Sequence, residues 1–164
     1  MYWYVKNTLE NNGYTHYEIS NFAKPGYESK HNVSCWNQEE YIGFGVAAHS
    51  YINGARYSNT NKLEEYINRG DQKGSDHFWS PFKIIHEVQT KEDMQKEYML
   101  LGLRKIEGVS VQKFKNKFGE TPIFLFRNEL NKLVEEDLII VDGDNIKLTN
   151  KGLDLANLVW EEFV

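Results

Sequence analysis

The second half of the sequence carries a closely spaced series of helix-start and helix-stop signals, which limits its fold more than any other feature. Thr90-Lys91-Glu92-Asp93 has the form of a capping box, with Asp in place of the usual Glu. Ser110 and Gly119 are suited to begin and end a short helix, and Thr121 followed by Pro122 is typical of another helix start. Together these signals predict three consecutive helices.

A hairpin and a last helix follow these three helices. Leu138-Ile139-Ile140-Val141 and Ile146-Lys147-Leu148-Thr149 lie on either side of Asp142-Gly143-Asp144-Asn145, which predicts two antiparallel strands joined by a tight turn. Thr149 is then a suitable N-cap for a final helix. Three helices, a hairpin and a helix indicate a mostly α, winged-helix-like module.

Helical spacing also predicts which apolar residues form the core of this module. A single buried stripe should contain Ile123, Phe126, Leu130, Leu133 and Val134. We expect one shared core to be formed by Leu101, Phe126, Leu130, Ile140 and Trp160.

The first part of the chain alternates between helical and extended patterns. Tyr2 to Asn11 is typical of a helix that ends at Asn12-Gly13, and residues 14–19 are rich in the aromatic and β-branched residues that favour strands. Tyr41 to Gly45 predicts another short strand, and Asn61 to Arg69 predicts another helix. Alternating strands and helices imply parallel pairing, but two strands cannot close a sheet. This part therefore resembles the tail of a larger α/β structure.

Turn-forming and charged residues separate the two parts. Gly70 to Asp76 has the composition of a linker. We therefore expect an α/β protein with two domains, residues 1–80 and residues 81–164.

Charge argues against the nucleic-acid binding that a winged helix suggests. From residue 91 onward there are 11 Lys and Arg against 14 Asp and Glu, and the whole chain has a net charge of −5. A DNA-binding face should be basic enough to neutralise phosphates, so we expect no nucleic-acid partner and a structural or partner-binding module.

No apolar run approaches the ~20 residues of a membrane span. The N-terminus lacks a signal-peptide pattern, and we expect a cytoplasmic protein.

The densest cluster of chemically unusual residues is His31-Asn32-Val33-Ser34-Cys35-Trp36. His31 is suited to bind a metal or a haem iron, Asn32 to orient its ring, and Cys35 to act as a rival thiolate ligand. The alternative is a helix start in which His31 and Asn32 are capping residues and Trp36 packs. Cys35 is the only cysteine, which excludes an internal disulfide and any all-cysteine iron–sulfur site within this chain.

A second candidate segment is the small-residue turn from Gly43 to Ser50. Gly43 and Gly45 allow a backbone to approach a ligand closely, and Ala48 keeps the turn small. His49 either contacts that ligand or completes a buried polar network.

A third candidate segment is Tyr17 to Ala23, which contains Glu18, Ser20 and Asn21. Ligands of α/β sheets and barrels bind at the carboxyl ends of strands, so these residues are suited to a ligand site. The alternative is that Ser20 and Asn21 only terminate the strand.

Taken in order, these segments resemble the oxygen-independent coproporphyrinogen III oxidase-like family, and in particular its HemW branch of haem chaperones. The resemblance is carried by Gly13-Tyr14, Tyr17 to Gly26, His31-Asn32 with Trp36, and Gly43-x-Gly45-x-x-Ala48-His49-Ser50. Glu97 to Arg104 and Leu148-Thr149 with Gly152 are similar to the C-terminal domain of the same family.

The resemblance implies a C-terminal portion of a longer protein: the last segments of a partial radical-SAM (β/α) barrel, followed by the winged-helix-like domain. In the family, a three-cysteine loop holds a 4Fe-4S cluster with S-adenosylmethionine. One cysteine cannot supply that loop, so we expect this chain to be inactive alone. The resemblance further implies haem contacts at His31, Asn32 and Trp36, and S-adenosylmethionine contacts at Gly43, Gly45, Ala48 and His49.

The HemW-like pattern H-N-x-x-Y-W has a Tyr where this chain has Cys35. The substitution removes a phenol beside His31 and adds a thiol. It leaves His31 as the expected ligand of the haem iron and Cys35 as its rival.

Three functions follow from this resemblance and from the fold. The first is haem binding and delivery to haem-accepting proteins. The second is the oxidative decarboxylation of coproporphyrinogen III to protoporphyrinogen IX, and the third is a plain winged-helix interaction module. We also expect haem or porphyrin as a partner, peripheral membrane contact through acceptor proteins, and a homodimer formed through apolar surface around Trp36, Phe44 and Tyr51.

Overall fold

The computed structural model describes residues 1–68 and 83–164, which form two compact units. One unit comprises Met1–Gln38 and Gln95–Val164, and the other comprises Glu39–Met94. The expected linker Gly70 to Asp76, the domain boundary at residue 80 and the end of the predicted helix at Arg69 lie outside the described residues. Within the described residues, no helix is long and apolar enough to cross a membrane.

The elements before residue 69 are short. In chain order they are α1 (Tyr2–Asn11), β1 (Thr15–Glu18), β2 (Asn21–Ala23), α2 (Lys30–Trp36), β3 (His49–Ile52), β4 (Ala55–Asn59) and α3 (Leu63–Ile67).

The elements after residue 82 are mostly helical. They are β5 (Lys83–Val88), α4 (Lys91–Gly102), β6 (Val109–Ser110), α5 (Val111–Phe118), α6 (Pro122–Leu125), α7 (Arg127–Glu135), β7 (Ile139–Asp142), β8 (Asn145–Leu148), α8 (Asn150–Asp154) and α9 (Ala156–Glu161). The order of elements from α4 to α9 is that of a winged helix, as predicted.

The predicted helix caps are present. The Thr90 N–H donates to Asp93 Oδ2 at 2.8 Å while the Asp93 N–H donates to Thr90 Oγ1 at 3.2 Å, which is the reciprocal pattern of a capping box. Ser110, Thr121 and Thr149 each accept from a backbone N–H three residues later. The helix starts are therefore fixed by contacts local in sequence.

The strand pairing differs from the expected parallel arrangement, because every pair in the described residues is antiparallel. β1 pairs with β2, the second sheet has the order β3-β4-β5, and the third has the order β6-β8-β7. The predicted strand Tyr41 to Gly45 is wrong: only Tyr41 forms an isolated bridge, with Tyr51, and the strand begins at His49. The glycines keep residues 43 and 45 in a loop, where their backbone groups bind side chains instead of a strand.

The core of the winged-helix module lies between α4, α5, α7, the hairpin and α9. Its most buried members are Met99, Leu103, Val109, Phe114, Leu133, Leu138, Ile139, Ile146 and Val159. Of the predicted core residues, Phe126 and Leu130 are buried, whereas Leu101 and Trp160 are only partly buried.

Ile140 was expected in the core, and that expectation is wrong. Ile140 is 47% exposed whereas its neighbour Ile139 is 2% exposed. Successive side chains of a strand point to opposite faces, and the apolar run 138–141 contains no polar residue to show which face is inside.

The predicted apolar stripe is also interrupted. Ile123 and Val134 are exposed, and the chain forms two helices, α6 and α7, instead of one. Phe126, with φ −114° and ψ 37°, separates α6 from α7 and breaks the helical phase between them.

Candidate functional site

The segment that contains His31 is a helix, as the sequence allowed. Ser29 is its N-cap, and its Oγ accepts from the Asn32 N–H at 3.4 Å. Capping is therefore provided by Ser29, and not by His31 or Asn32 as one alternative had it. The side chain of His31 is exposed in the first turn of α2.

Cys35 lies one turn beyond His31 on the same face of α2. The Cys35 Sγ is 3.9 Å from the His31 Nε2, and the thiol is partly exposed. A single exposed imidazole is suited to bind a haem iron, because one protein side chain can be enough to hold that iron. In the part of the chain that the structure describes, no group of three or more His, Cys, Asp or Glu could hold a metal ion.

Trp36, at the end of α2, packs against Tyr17 of β1. The two rings have centroids 6.0 Å apart and a tilt of 49°. The Tyr17 hydroxyl also accepts from the Ser29 N–H at 3.3 Å, so Tyr17 contacts both ends of the helix.

The Tyr17 to Ala23 segment is organised around Glu18, which is fully buried. Its Oε2 accepts from the Ser20 N–H at 3.0 Å and from the Asn21 amide, and its Oε1 accepts from Arg104 at 2.7 Å. Burial would raise the pKa of Glu18, but the hydrogen bonds from Asn21 and Ser20 and the Arg104 charge lower that pKa overall. Ser20 and Asn21 thus have a structural role in binding this carboxylate.

The polar backbone groups of Gly43 and Gly45 are bound inside their own unit. The Gly43 N–H donates to Ser50 Oγ at 3.0 Å, and the Gly45 N–H donates to the Tyr66 hydroxyl at 2.8 Å. A Cβ on Gly43 would lie 2.1 Å from the His49 carbonyl oxygen, so a side chain is excluded there by the chain itself. Gly45, at φ +110°, has open space on the side where a Cβ would be, which leaves room for a ligand.

Asn59 holds this loop, although the sequence analysis did not identify it. Its buried side chain donates to the Gly45 carbonyl at 2.8 Å and to the Gly43 carbonyl at 3.1 Å. Its own N–H donates to the Ala48 carbonyl at 2.9 Å. Asn59 lies 14 and 16 residues from the two glycines, so no local sequence pattern indicates the contact.

His49 is exposed and stacks on His86 of β5. The ring centroids are 5.1 Å apart and the planes differ by 21°. His86 Nε2 lies 2.9 Å from Ser58 Oγ, which fixes the orientation of its ring. His49 and His86 lie on different strands, 37 positions apart, so no local sequence pattern indicates their contact.

The structure therefore divides the predicted site residues into two groups. His31, Asn32, Cys35 and Trp36 share α2 in one unit. Gly43, Gly45 and Ala48 lie in one loop of the other unit, and His49 begins the strand that follows it.

Comparison with known proteins identifies relatives of the whole chain. Residues 89–155 match the family model of the HemN C-terminal domain. The chain is 40% identical over all of its length to the heme chaperone HemW of Lactococcus lactis subsp. lactis (strain IL1403), and 42% identical to that of Bacillus subtilis (strain 168). It spans 41% and 42% of these relatives, so it corresponds to about two fifths of their length.

A solved structure has the same fold. The chain superposes on coproporphyrinogen III oxidase (HemN) from Escherichia coli, a radical SAM enzyme, with a TM-score of 0.64 and 18% sequence identity. The match covers 98% of this chain and 39% of that one.

Proposed function

We propose that this chain belongs to the oxygen-independent coproporphyrinogen III oxidase-like family and that it binds haem for delivery to other proteins. The observation that carries the proposal is the exposed imidazole of His31, on a helix anchored at both ends, in a chain 40% and 42% identical to proteins named heme chaperones. His31 would bind the haem iron, and Asn32 and Trp36 would contact the haem beside it.

The second half of the proposal concerns the Gly43 to Ser50 loop. We assign Gly43, Gly45, Ala48 and His49 to contacts with S-adenosylmethionine in the whole protein, whose 4Fe-4S cluster would be held by cysteines outside this chain. The open side of Gly45 and the exposed ring of His49 fit a ligand that lies against the loop. S-adenosylmethionine and the cluster would supply radical chemistry, while these residues would only bind and orient.

Haem titration of the whole protein tests the assignment of His31. We expect His31→Ala to weaken haem binding or to shift its absorption spectrum, because the imidazole would bind the iron directly. Cys35→Ser should change little. Unchanged binding in His31→Ala together with loss in Cys35→Ser would make the cysteine the ligand.

An activity assay separates haem delivery from the oxidase reaction. Coproporphyrinogen III is incubated with the whole protein, S-adenosylmethionine and a reductant, and the conversion of two propionate side chains to vinyl groups, with release of one CO₂ from each, is measured. We expect no turnover under conditions in which an oxygen-independent oxidase is active. Clear turnover would reject a purely chaperone function.

The remaining parts of the proposal concern partners and location. We propose a cytoplasmic protein whose partners are haem-accepting proteins, with membrane contact made through those partners. A homodimer of the isolated chain would bury Phe44, which is 86% exposed, but not Tyr51, which was expected at the same surface and is only 4% exposed. Each of these can be tested by co-purification and by sedimentation.

A further inference from the structure

Gln38, two residues after the end of α2, has a backbone conformation that is unusual for its residue type. Its φ is +52°, in the left-handed region, and the residue is only 3% exposed. Helices commonly end in this conformation, but with Gly or Asn at the position. A residue other than these persists there when its surroundings fix it, and such positions cluster at functional sites.

Two charged residues of the winged-helix module fix Gln38. Glu97 of α4 accepts from the Gln38 side-chain amide, with 2.9 Å between Oε2 and Nε2. Lys117 of α5 donates to the Gln38 carbonyl, also at 2.9 Å. Both contacts cross more than 50 residues of sequence and lie within one compact unit.

A third charged residue binds the residue between α2 and Gln38. The Lys105 ammonium donates to Asn37 Oδ1 at 2.7 Å, and the Lys105 side chain is only 10% exposed. Two cations, Lys105 and Lys117, are thus placed at the C-terminal end of α2. Positive charge is favourable there because the last carbonyls of a helix carry partial negative charge.

The position of Lys117 is itself constrained. Its ammonium lies 5.1 Å from the centre of the Tyr98 ring and 5.6 Å from that of the Phe118 ring. Attraction between the cation and these rings holds the side chain in the direction of Gln38. The lysine is therefore part of a defined arrangement, unlike a surface lysine free to rotate.

These contacts determine where α2 ends and how it is rotated. The other end of the helix is held by the hydrogen bond that the Ser29 N–H donates to the Tyr17 hydroxyl. His31 lies between the two anchored ends, seven residues before Gln38. Rotation or loss of the last turn would change the direction of the His31 imidazole.

We propose that Gln38, Glu97 and Lys117 are positioning residues that set the direction of the His31 imidazole toward haem. The proposal rests on the haem-binding function proposed above. It gives the HemN C-terminal domain, residues 89–155, a specific task in this protein, which is to hold the haem-binding helix in place.

The test is a haem titration of the whole protein with matched lysine variants. Lys117→Met removes the hydrogen bond to the Gln38 carbonyl, whereas Lys117→Arg keeps a hydrogen-bond donor at that position. The control is Lys115→Met, which removes a lysine of the same helix for which no side-chain contact is found in the described residues. We expect Lys117→Met to raise the haem Kd about tenfold, the low end of the range for residues that orient a metal ligand. The Soret band of Lys117→Met should move toward that of His31→Ala. Lys117→Arg should have the haem Kd and the Soret band of the parent, and Lys115→Met should change neither of them.

A second variant separates positioning from folding. Gln38→Gly keeps the left-handed backbone without strain but removes the side-chain bond to Glu97. We expect its unfolding temperature to stay near that of the parent while haem affinity falls. This variant decides the question if Lys117→Met fails to fold.

Two further outcomes distinguish the proposals. If His31→Ala changes haem binding but Lys117→Met and Gln38→Gly do not, the positioning role is rejected and the proposed function stands. If His31→Ala binds haem as the parent does, His31 is rejected as the ligand of the haem iron, and the positioning role with it.

Discussion

Arg104 donates from Nη2 to Oε1 of the fully buried Glu18 at 2.7 Å, across 86 residues of sequence. Backbone bonds run beside this ion pair, from the Ile19 N–H to the Arg104 carbonyl and from the Ile106 N–H to the Tyr17 carbonyl. The end of β1 is therefore attached to the segment after α4. The N-terminal residues of this unit are integrated into the winged-helix module by that contact.

The first prediction concerns the Glu18–Arg104 pair. Arg104→Met leaves the buried carboxylate of Glu18 without its cation, and we expect the free energy of unfolding to fall by about 3 kcal/mol. This value is at the lower end of the range for broken buried ion pairs, because the hydrogen bonds from Ser20 and Asn21 to the carboxylate remain. Denaturant unfolding at pH 7 measures it. Arg127→Met, at an exposed position of α7, is the control and should cost little.

The pH dependence of this pair has a defined sign. The pKa of Glu18 is lowered in the folded state, so its contribution to stability is present above the pKa of the unfolded chain. That contribution is lost as the pH falls through the lowered folded pKa. Glu18→Gln should thus be less stable than the parent at pH 7, with a difference that shrinks as the pH is lowered into the acidic range. A constant difference would contradict the role of the charge.

The second prediction concerns the core of the winged-helix module. Leu130 is buried in α7, and Leu130→Ala should cost about 2–5 kcal/mol through lost burial and the cavity that remains. Ile140→Ala, on the exposed face of β7, should cost much less. Equal unfolding temperatures for Leu130→Ala and the parent would show that the core assignment is wrong.

The third prediction concerns self-association of the isolated chain. Phe44 is 86% exposed, and Ile42 and Ile84 of the same unit are exposed as well. Apolar surface of this kind promotes association, so we expect sedimentation to show dimers or larger species at high concentration. Phe44→Ser should shift the distribution toward monomer, whereas Tyr27→Ser, an exposed aromatic of the other unit, should not. A clean monomer for the parent would contradict the expectation.

The fourth prediction concerns Asn59 and the loop that it holds. Asn59→Leu removes both bonds to the Gly43 and Gly45 carbonyls, and the loop should lose its fixed shape. In the whole protein we expect weaker binding of S-adenosylmethionine, measured by equilibrium dialysis. The exposed neighbour Asn61→Leu is the matched control. Equal affinities of the two variants for S-adenosylmethionine would contradict the assignment of this loop to the cofactor site.

The amino-acid sequence by itself determined the hairpin of the second half and the helix starts at Thr90, Ser110, Thr121 and Thr149, but not the breaks that divide two of the predicted helices into α6 and α7 and into α8 and α9. Thr90 with Asp93, Ser110, and Thr149 bind backbone groups three residues away, so the information that fixes these elements is local. The two groups of candidate site residues, around His31 and around Gly43, were likewise visible as motifs.

Only the tertiary structure decided which residues hold those motifs in place. Glu97 and Lys117 reach Gln38, and Asn59 reaches Gly43 and Gly45, through contacts that no periodicity or spacing encodes. The choice of Ile139 over Ile140 for the core was decided in the same way. Strand register and long-range hydrogen bonds depend on which surfaces pack together. A buried polar group needs a hydrogen-bond partner, and packing determines which residue, however distant in sequence, lies close enough to be that partner.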